Sequence, residues 1–254
     1  MANKKLVVAN WKMNPQTVAD AKKIFTGTKR YAKKFRKVNV VVCPPFLYIA
    51  NVLSSGRGAV SIGAQDVFWE PEGSFTGEIS PIQLAKEKID YCIVGHSERR
   101  ARGETDEEVN KKVKALLKVG LIPVVCVGES ERDDDGKYLS FIKDQIKKAL
   151  KDVKQNDLQN VVIAYEPIWA IGEKAKSAIK GEGLHEMSIF IRKVLSDMYT
   201  YRTAFKSPIL YGGSVDEYNA EDIIVKGNVQ GFLVGRASLD PKGFSKIIDA
   251  VNKS

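Results

Sequence analysis

Residues 161–172 read VVIAYEPIWAIG, an apolar and β-branched run that ends at Glu166 and is followed at once by Pro167. A strand buried on both faces is a continuous apolar run of this kind. Because proline cannot continue a buried ladder of hydrogen bonds, we expect the strand to end there. Glu166 then lies at the carboxyl end of a buried strand, under an apolar loop that raises its pKa and strengthens it as a base. The alternative is an acidic cap of the next helix.

Similar apolar runs recur along the chain and alternate with helical patterns. The predicted strands are 6–10, 39–43, 60–64, 91–95, 122–128, 161–165, 208–212 and 231–235, and the clearest helical patterns are 106–119, 138–150, 184–201 and 242–251. Parallel strands with helices outside them give this alternation. Eight such units in 254 residues, without a linker, predict one closed (β/α)8 barrel over residues 1–254. An open doubly wound sheet, the alternative, would usually carry a G-x-G-x-x-G turn after its first strand, where this chain has Asn-Trp-Lys.

Composition excludes several classes of protein. No apolar run approaches the roughly 20 residues of a membrane span, and the amino-terminal apolar stretch is too short for a signal peptide. We therefore expect a cytoplasmic protein with no membrane partner. Cys43, Cys92 and Cys126 lie far apart in apolar runs, which predicts buried thiols and no disulfide. With two histidines and no clustered cysteines, the sequence has no metal-ligand spacing.

Positive charge is concentrated near the amino terminus. The formal net charge is +9, and residues 1–40 alone hold eleven Lys or Arg and one Asp. A helix predicted over 17–36 places most of these cations opposite its apolar positions, which are Val18, Ala21, Ile24, Phe25, Ala32 and Phe35. Such a face fits an anion- or nucleic-acid-binding surface, or simply a solvated helix face. No nucleic-acid-binding motif accompanies it, so we expect a solvated face and no nucleic-acid partner.

In a barrel of this type, the chemistry lies at the carboxyl ends of the strands. The first strand ends at Asn10-Trp11-Lys12, where the Lys12 ammonium can bind an anion, although a single lysine is more often a surface residue. The fourth ends at His96, before a Ser-Glu-Arg-Arg run that predicts a short helix. The positive end of that helix would lower the pKa of His96 and keep it as a neutral hydrogen-bond donor. His185, inside a predicted helix, is interpreted as structural.

The seventh and eighth strands both end in glycine-containing turns, YGGS at 211–214 and VGR at 234–236. Each alone is a tight turn, and neither is a P-loop. As a pair after these two strands, they predict a phosphate site made of backbone N–H groups. One base, one neutral donor, one cation and a phosphate site suit proton abstraction next to the carbonyl of a small phosphorylated sugar.

Seven segments, in the right order over nearly the whole chain, resemble the triosephosphate isomerase family: ANWKMN, GAQDVFWEPEGSFTGEIS, VGHSERR, CVGE, AYEPIWAIG, YGGSV and GFLVGRASL. The resemblance implies a TIM barrel that interconverts dihydroxyacetone phosphate and D-glyceraldehyde 3-phosphate without a cofactor. Glu166 would be the base that moves the proton between C1 and C2, His96 would polarise the carbonyl, and Lys12 would neutralise developing charge. A glutamate base beside a neutral histidine is the arrangement established for this family.

The resemblance also implies how the small phosphorylated triose is held. Asn10 would help to orient it, and its phosphate would rest on backbone N–H groups of Gly172, Ser214, Gly235 and Arg236. Glu98 and Cys126 match positions that support the site. Over roughly 167–177 the family has a lid, so that Ile171 and Leu233 would pack on Glu166 from opposite sides.

Two positions depart from the family pattern. The lid continues with EKAKS at 173–177, where the family usually has a hinge like Thr-Gly-Lys-Thr-Ala, and Arg236 stands where glycine is common. The N–H of Arg236 can still bind phosphate if its backbone angles suit a side chain.

The long loop from Gln65 to Glu78 carries Phe68, Trp69 and Phe75, and exposed aromatics on such a loop usually mark an interface. In the family this loop packs around part of a second subunit, and a threonine matching Thr76 reaches the active site of that subunit. We therefore expect a symmetric homodimer.

Two other interpretations fit part of the sequence. Another phosphate-binding barrel isomerase or epimerase would share the glycine-containing turns but would not explain AYEPIWAIG together with GHSERR. A basic barrel that serves as an RNA-binding or scaffold protein would explain residues 1–40 alone.

Overall fold

The computed structural model describes residues 5–170 and 179–254. Within them, eight parallel strands pair in sequence order and close into a barrel between the last strand and the first. The strands are β1 (Lys5–Asn10), β2 (Val38–Cys43), β3 (Val60–Ala64), β4 (Tyr91–Val94), β5 (Ile122–Val127), β6 (Val162–Tyr165), β7 (Ile209–Tyr211) and β8 (Gly231–Val234). The predicted (β/α)8 TIM barrel is therefore confirmed, and each strand end lies within one residue of its predicted place.

The helices surround the barrel. In the described part of the chain they are α1 (Val18–Ala32), α2 (Phe46–Leu53), α3 (Pro81–Lys86), α4 (Ser97–Arg100), α5 (Asp106–Lys118), α6 (Lys137–Ala149), α7 (Gly181–Met198), α8 (Tyr201–Ala204), α9 (Ala220–Lys226) and α10 (Pro241–Lys253). Short 3-10 turns occupy Leu158–Asn160, Ile168–Ala170 and Arg236–Leu239. The helices that no pattern predicted, α2, α3, α8 and α9, all have eight residues or fewer, too short for a helical period to repeat clearly.

Two predicted helices differ from the structure at their ends. The basic helix stops at Ala32 instead of 36, and Val18, predicted on its apolar face, is exposed. The helix predicted over 184–201 runs from Gly181 to Met198, and a separate helix, α8, begins after Thr200. Thr200 caps α8, since its side-chain oxygen accepts a hydrogen bond from the N–H of Thr203, which favours a new start over continuation.

The strands bury both of their faces, as their apolar runs predict. Alternate residues point into the barrel, where Val8, Val41 and Ile93 belong to one buried cluster, while their neighbours pack outward against the helices. All three cysteines are buried free thiols, as predicted. No helix among the described residues is long and apolar enough to cross a membrane.

A buried ionic cluster ties the loops that follow β3 and β4 to α5. The Lys112 ammonium contacts a carboxylate oxygen of Asp66 at 2.7 Å and a carboxylate oxygen of Glu104. Arg99 completes the cluster, with its Nε 2.8 Å from Asp66 Oδ2. Burial raises the pKa of Asp66, and Lys112 opposes that rise. Removing Lys112 would leave two buried carboxylates with less compensating charge.

We predict that Lys112→Met lowers the free energy of unfolding by about 3–5 kcal/mol, the usual cost of breaking a buried ion pair from one side. Urea denaturation at one protein concentration measures it. Lys114→Met is the matched control, because Lys114 is exposed on the same helix. It should change the free energy by no more than about 0.5 kcal/mol. Equal effects of the two substitutions would contradict the prediction.

Candidate active site

A cavity of about 630 Å³ opens at the carboxyl ends of the strands. This is an ordinary volume for a small-molecule site. The predicted residues that line it are Asn10, Lys12, His96, Glu98, Glu166, Ser214, Leu233, Gly235 and Arg236. Gly212 and Gly213, from the turn predicted to bind phosphate, also line it, and so do Asn14 and Asp216, which were not predicted. The barrel thus brings together groups from both ends of the sequence.

Glu166 follows β6 and is only 2% exposed. Its two carboxylate oxygens have separate partners. Oε1 lies 3.1 Å from Nε2 of His96, and Oε2 accepts a hydrogen bond of 3.0 Å from the N–H of Ser97. Both partners come from the start of α4, so the carboxylate is held against a helix that begins at the end of another strand.

His96 is the N-cap residue of α4, where its Nδ1 accepts a hydrogen bond of 3.2 Å from the N–H of Glu98. An imidazole nitrogen that accepts a hydrogen bond carries no proton, so this contact favours the tautomer with the proton on Nε2. That proton faces Glu166 Oε1. The predicted short helix is confirmed, and it orients the ring through a backbone hydrogen bond.

The pKa shifts predicted for this pair from the sequence are both wrong for the structure. Burial alone would raise the pKa of Glu166, but His96, the Ser97 N–H and Lys12 outweigh it and hold the pKa below its ordinary value. Burial alone would lower the pKa of His96, but the Glu166 carboxylate raises it above its ordinary value. The sequence prediction counted burial and the helix end, and missed that the two side chains touch.

Both shifts depend on that contact. A Glu166 carboxylate turned away from His96 and Ser97 would lose the interactions that lower its pKa, while burial, which raises it, would remain. It would then be a stronger base. The pKa of His96 would fall, because burial and Lys12 both act against a charged imidazole. The base strength of Glu166 therefore depends on its contact with His96 and Ser97.

Lys12 is held in an unusual backbone conformation, with a φ of 53°. Non-glycine residues adopt the left-handed region rarely and at a cost. Asn10 accepts a 3.0 Å hydrogen bond from the Lys12 N–H, and Gln65 donates one of 2.9 Å to its carbonyl. The Lys12 ammonium, now at the cavity, contacts Glu98 Oε1 at 2.6 Å. Asn10 therefore positions Lys12 directly.

Gly212 has a role that the sequence analysis missed. A Cβ atom at this position would lie 2.8 Å from Cγ of Glu166, so only a glycine leaves room for the carboxylate side chain. The motif YGGSV contained the signal, but its glycines were interpreted only as part of a phosphate site. Ser97 and Gln65 were also missed, because a backbone N–H and a long-range amide leave no sequence pattern.

Other predicted residues lie where expected. Leu233 is buried beside the cavity, and the Ser214 hydroxyl donates to the Ala170 carbonyl at 2.9 Å. Burial, with the negative charge of Glu166, raises the pKa of Cys126 well above its ordinary value, so it stays a thiol. Arg236 has a negative φ and begins a 3-10 turn, so a side chain fits there without backbone strain.

Some predictions fall outside these contacts. Ile171 and Gly172, like the segment 173–177, lie outside the described residues. Thr76 is exposed on its loop and does not line the cavity. His185 is exposed on α7. Across residues 5–170 and 179–254, no group of His, Cys, Asp and Glu side chains could hold a metal ion.

Glu129 organises the segment just after Glu166. Its Oε1 accepts hydrogen bonds of 2.8 Å from the Tyr165 hydroxyl and of 2.8 Å from the Trp169 indole N–H. Arg132 adds a 3.1 Å contact to the same oxygen, and its guanidinium lies 5.1 Å from the Trp169 ring centroid. This buried carboxylate thus anchors both sides of Glu166.

Comparisons with known proteins agree on one family. The sequence profile described as "Triosephosphate isomerase" matches residues 5–251. The triosephosphate isomerase of Dictyoglomus turgidum is 41% identical over 249 residues, which cover 96% of this chain and 98% of the relative. That of Natranaerobius thermophilus is 40% identical over 250 residues, 98% of this chain and 96% of the relative. That of Thermoanaerobacter pseudethanolicus is 42% identical over 247 residues, which cover 96% of this chain and 98% of the relative.

We predict that the pKa of His96 lies above 6.5 and that Glu166→Gln lowers it, because the substitution removes the charge that raises it. A raised pKa means that His96 stabilises the fold fully below about pH 6.5 and that this contribution is lost as the pH rises through the folded pKa. NMR titration measures the pKa of His96 in the wild type and in Glu166→Gln. The chain has two histidines, His96 and His185, so the imidazole signals can be assigned. An unchanged His96 curve would contradict the proposed contact.

Proposed function

The chain belongs to the triosephosphate isomerase family and is an isomerase, and we propose that Glu166, His96 and Lys12 carry its proton transfers. It interconverts dihydroxyacetone phosphate and D-glyceraldehyde 3-phosphate. Another phosphate-binding barrel isomerase or epimerase, the alternative left open by the glycine-containing turns, is set aside by the family match over residues 5–251.

The observation that carries the proposal is the meeting of one base, one imidazole and one ammonium in a single cavity. Glu166, His96 and Lys12 come from the ends of three different strands, and all three line the 630 Å³ cavity. Isomerisation through an enediolate needs a base for the C–H proton, a donor for the oxygens and a cation for the charge that develops. Glu166, His96 and Lys12 can each meet one of these three requirements.

Glu166 is proposed as the base that moves the proton between C1 and C2. In the structure both of its oxygens are engaged, by His96 and by the Ser97 N–H. The carboxylate must release these partners to reach a substrate carbon, and this release raises its pKa. The base is therefore weak while it contacts the protein and strong once it faces the substrate.

His96 and Lys12 are proposed to act on the substrate oxygens. When Glu166 has left, the Nε2 proton of His96 can be donated to the carbonyl oxygen, while the Glu98 N–H keeps Nδ1 as an acceptor. The Lys12 ammonium, held on its strained backbone, supplies the positive charge that stabilises the enediolate. Fixed donors of this kind cost little reorganisation during the reaction.

The phosphate is proposed to bind between the loops that follow β7 and β8. Ser214, Gly235 and Arg236 line this part of the cavity. A Cβ atom at Gly235 would lie 3.4 Å from Cε of Lys12, an ordinary contact distance, so the lysine side chain passes directly over this turn. A backbone N–H site beside an ammonium suits a dianion. A fourth N–H, from Gly172, is proposed from the sequence resemblance alone.

A homodimer through the loop from Gln65 to Glu78 is also proposed. Phe75 is 42% exposed, while Phe68 and Trp69 are half-buried, with ring centroids 4.1 Å apart. The loop begins at Gln65, whose amide donates to the Lys12 carbonyl. A partner that packs on this loop would therefore steady the backbone that holds Lys12, and Thr76 is exposed for contact with that partner. A cytoplasmic location without nucleic-acid or membrane partners stays a prediction from the sequence.

We predict that Glu166→Asp lowers kcat for isomerisation by about 10²–10⁴-fold, because the shorter side chain withdraws a positioned base. A coupled assay in both directions measures it, and the wild-type rate in the same assay tests the proposed function itself. Glu186→Asp, an exposed change on α7, should keep the wild-type rate. A rate for Glu166→Asp within a few-fold of wild type would remove Glu166 from the role of base.

We predict that the wild-type protein sediments as a dimer at micromolar concentration and that Phe75→Glu shifts it towards monomers with a lower kcat. The physical reason is a charge placed in an apolar interface. Phe141→Glu, at a phenylalanine with similar exposure on α6, should leave the protein dimeric. Full activity in a wild-type monomer would overturn the proposed assembly.

A further inference from the structure

A second cavity, of about 600 Å³, lies on the outside of the barrel. Its walls come from α7, from α8 and from the residues that lead into β7 and β8, which include Pro208 and Gln230. Because these residues precede their strands, the cavity lies towards the amino ends of the strands. The candidate active site is at the opposite ends. No step of the proposed isomerisation uses the second cavity.

Exposed aromatic rings line this cavity. Tyr201 is 70% exposed and Phe205 is 53% exposed, and their ring centroids lie 4.3 Å apart with planes tilted by 36°. Ile189, on α7, adds a further exposed apolar side chain to the wall. Apolar side chains gathered in a concave site of this volume are typical of ligand pockets. Rings of this kind can stack against a planar aromatic group.

The same cavity contains a half-buried cation without a carboxylate partner among the described residues. The Arg192 guanidinium donates to the Ser207 carbonyl at 2.7 Å, to the Ala204 carbonyl, and to Gln230 Oε1 at 3.0 Å. All of these acceptors are uncharged. Burial lowers the pKa of Arg192 to about 10, and an interaction with Tyr201 offsets only part of this effect.

The hydrogen bonds of Arg192 hold it in place but do not use all of its N–H donors. Its hydrogen bonds use NH1 and one direction of NH2, and a guanidinium has five N–H groups. The cavity is also lined by Lys193 and Lys206 and by one carboxylate, Asp197, which contacts Lys193 at 3.0 Å. Lys193 and Asp197 compensate each other, so the positive charge available to a ligand is that of Arg192, whose hydrogen bonds among the described residues include none to a carboxylate. An anionic group would be attracted here.

We propose that this cavity is a second ligand site, which binds a planar aromatic ring carrying an anionic group. The ring packs against the parts of Tyr201 and Phe205 that their mutual contact leaves exposed, and the anionic group approaches the N–H groups of Arg192, whose guanidinium lies 5.0 Å from the Phe205 ring centroid. An aromatic carboxylate and a nucleoside monophosphate share this chemistry. Binding here is independent of isomerisation, because the site lies at the other end of the barrel.

Calorimetric titration of the full chain with 2-naphthoate tests the proposal. We expect saturable binding of one molecule per chain, which weakens as salt is added because a charge pair forms. The uncharged analogue 2-naphthalenemethanol should bind about tenfold more weakly, since it lacks the charge that Arg192 attracts. Absence of saturable 2-naphthoate binding up to millimolar concentration would overturn the proposal.

Matched phenylalanine variants locate the binding. Phe205→Ser should weaken 2-naphthoate about tenfold, because the stacking surface is lost. Phe141→Ser is the control, since Phe141 is 52% exposed on α6 and does not line the cavity. Both variants should keep wild-type isomerase activity, which confirms that they fold. Equal affinity of the two variants for 2-naphthoate would place the probe elsewhere and overturn the proposal.

A charge variant and a kinetic measurement complete the test. Arg192→Met should remove the preference for 2-naphthoate over its uncharged analogue, and if it fails to fold, the Phe205 comparison decides alone. Saturating 2-naphthoate should leave the KM of the isomerase unchanged. A rise in KM that persists in Phe205→Ser would assign the probe to the active site and refute the second site. Titrations with AMP and adenosine then distinguish the two classes of ligand. Tighter binding of AMP than of 2-naphthoate and adenosine indicates a nucleotide, and tighter binding of 2-naphthoate indicates an aromatic carboxylate.

Discussion

The active site depends on keeping one carboxylate charged in the interior of the barrel. A buried, unpaired carboxylate costs several kcal/mol, so Glu166 has to be compensated by its neighbours. His96 and the Ser97 N–H supply that compensation at 3.1 Å and 3.0 Å. Space is the second requirement, and Gly212 meets it, because a side chain there would collide with the carboxylate. The position of α4 and the turn after β7 both follow from this one group.

Closure of the barrel makes that compensation possible. Parallel strands all point their carboxyl ends the same way, so the segments that follow them surround one mouth. Glu166 follows β6 while His96 follows β4, and β5 lies between those strands in the sheet. The Glu129 carboxylate, after β5, fills the gap by binding Tyr165 and Trp169 on either side of Glu166. Three adjacent strand ends therefore act as one unit.

The charged and proton-donating side chains of the cavity lie in pairs. Lys12 contacts Glu98, and His96 contacts Glu166, so each positive or proton-donating group faces a carboxylate. In the proposed mechanism, a phosphorylated substrate would bring its own negative charge to Lys12 and its own acceptors to His96. The carboxylates would then be free to change partners, and Glu166 would gain basicity on leaving His96. The second cavity differs, since its half-buried guanidinium donates only to uncharged acceptors among the described residues.

The sequence by itself determined the strands, the closed barrel and which side chains would meet at its mouth. Apolar runs that end in Pro167 or in glycine depend on local chemistry, so they can be predicted residue by residue, and the side chains proposed to react stand at those ends. The pKa directions of Glu166 and His96 could not be predicted, because they arise from a contact between residues far apart in the chain. The same is true of the backbone of Lys12, which Gln65 holds, and of the cavity around Arg192. Only the tertiary structure decided these, since distance and burial set the strength of an electrostatic interaction, and neither is a property of a single segment.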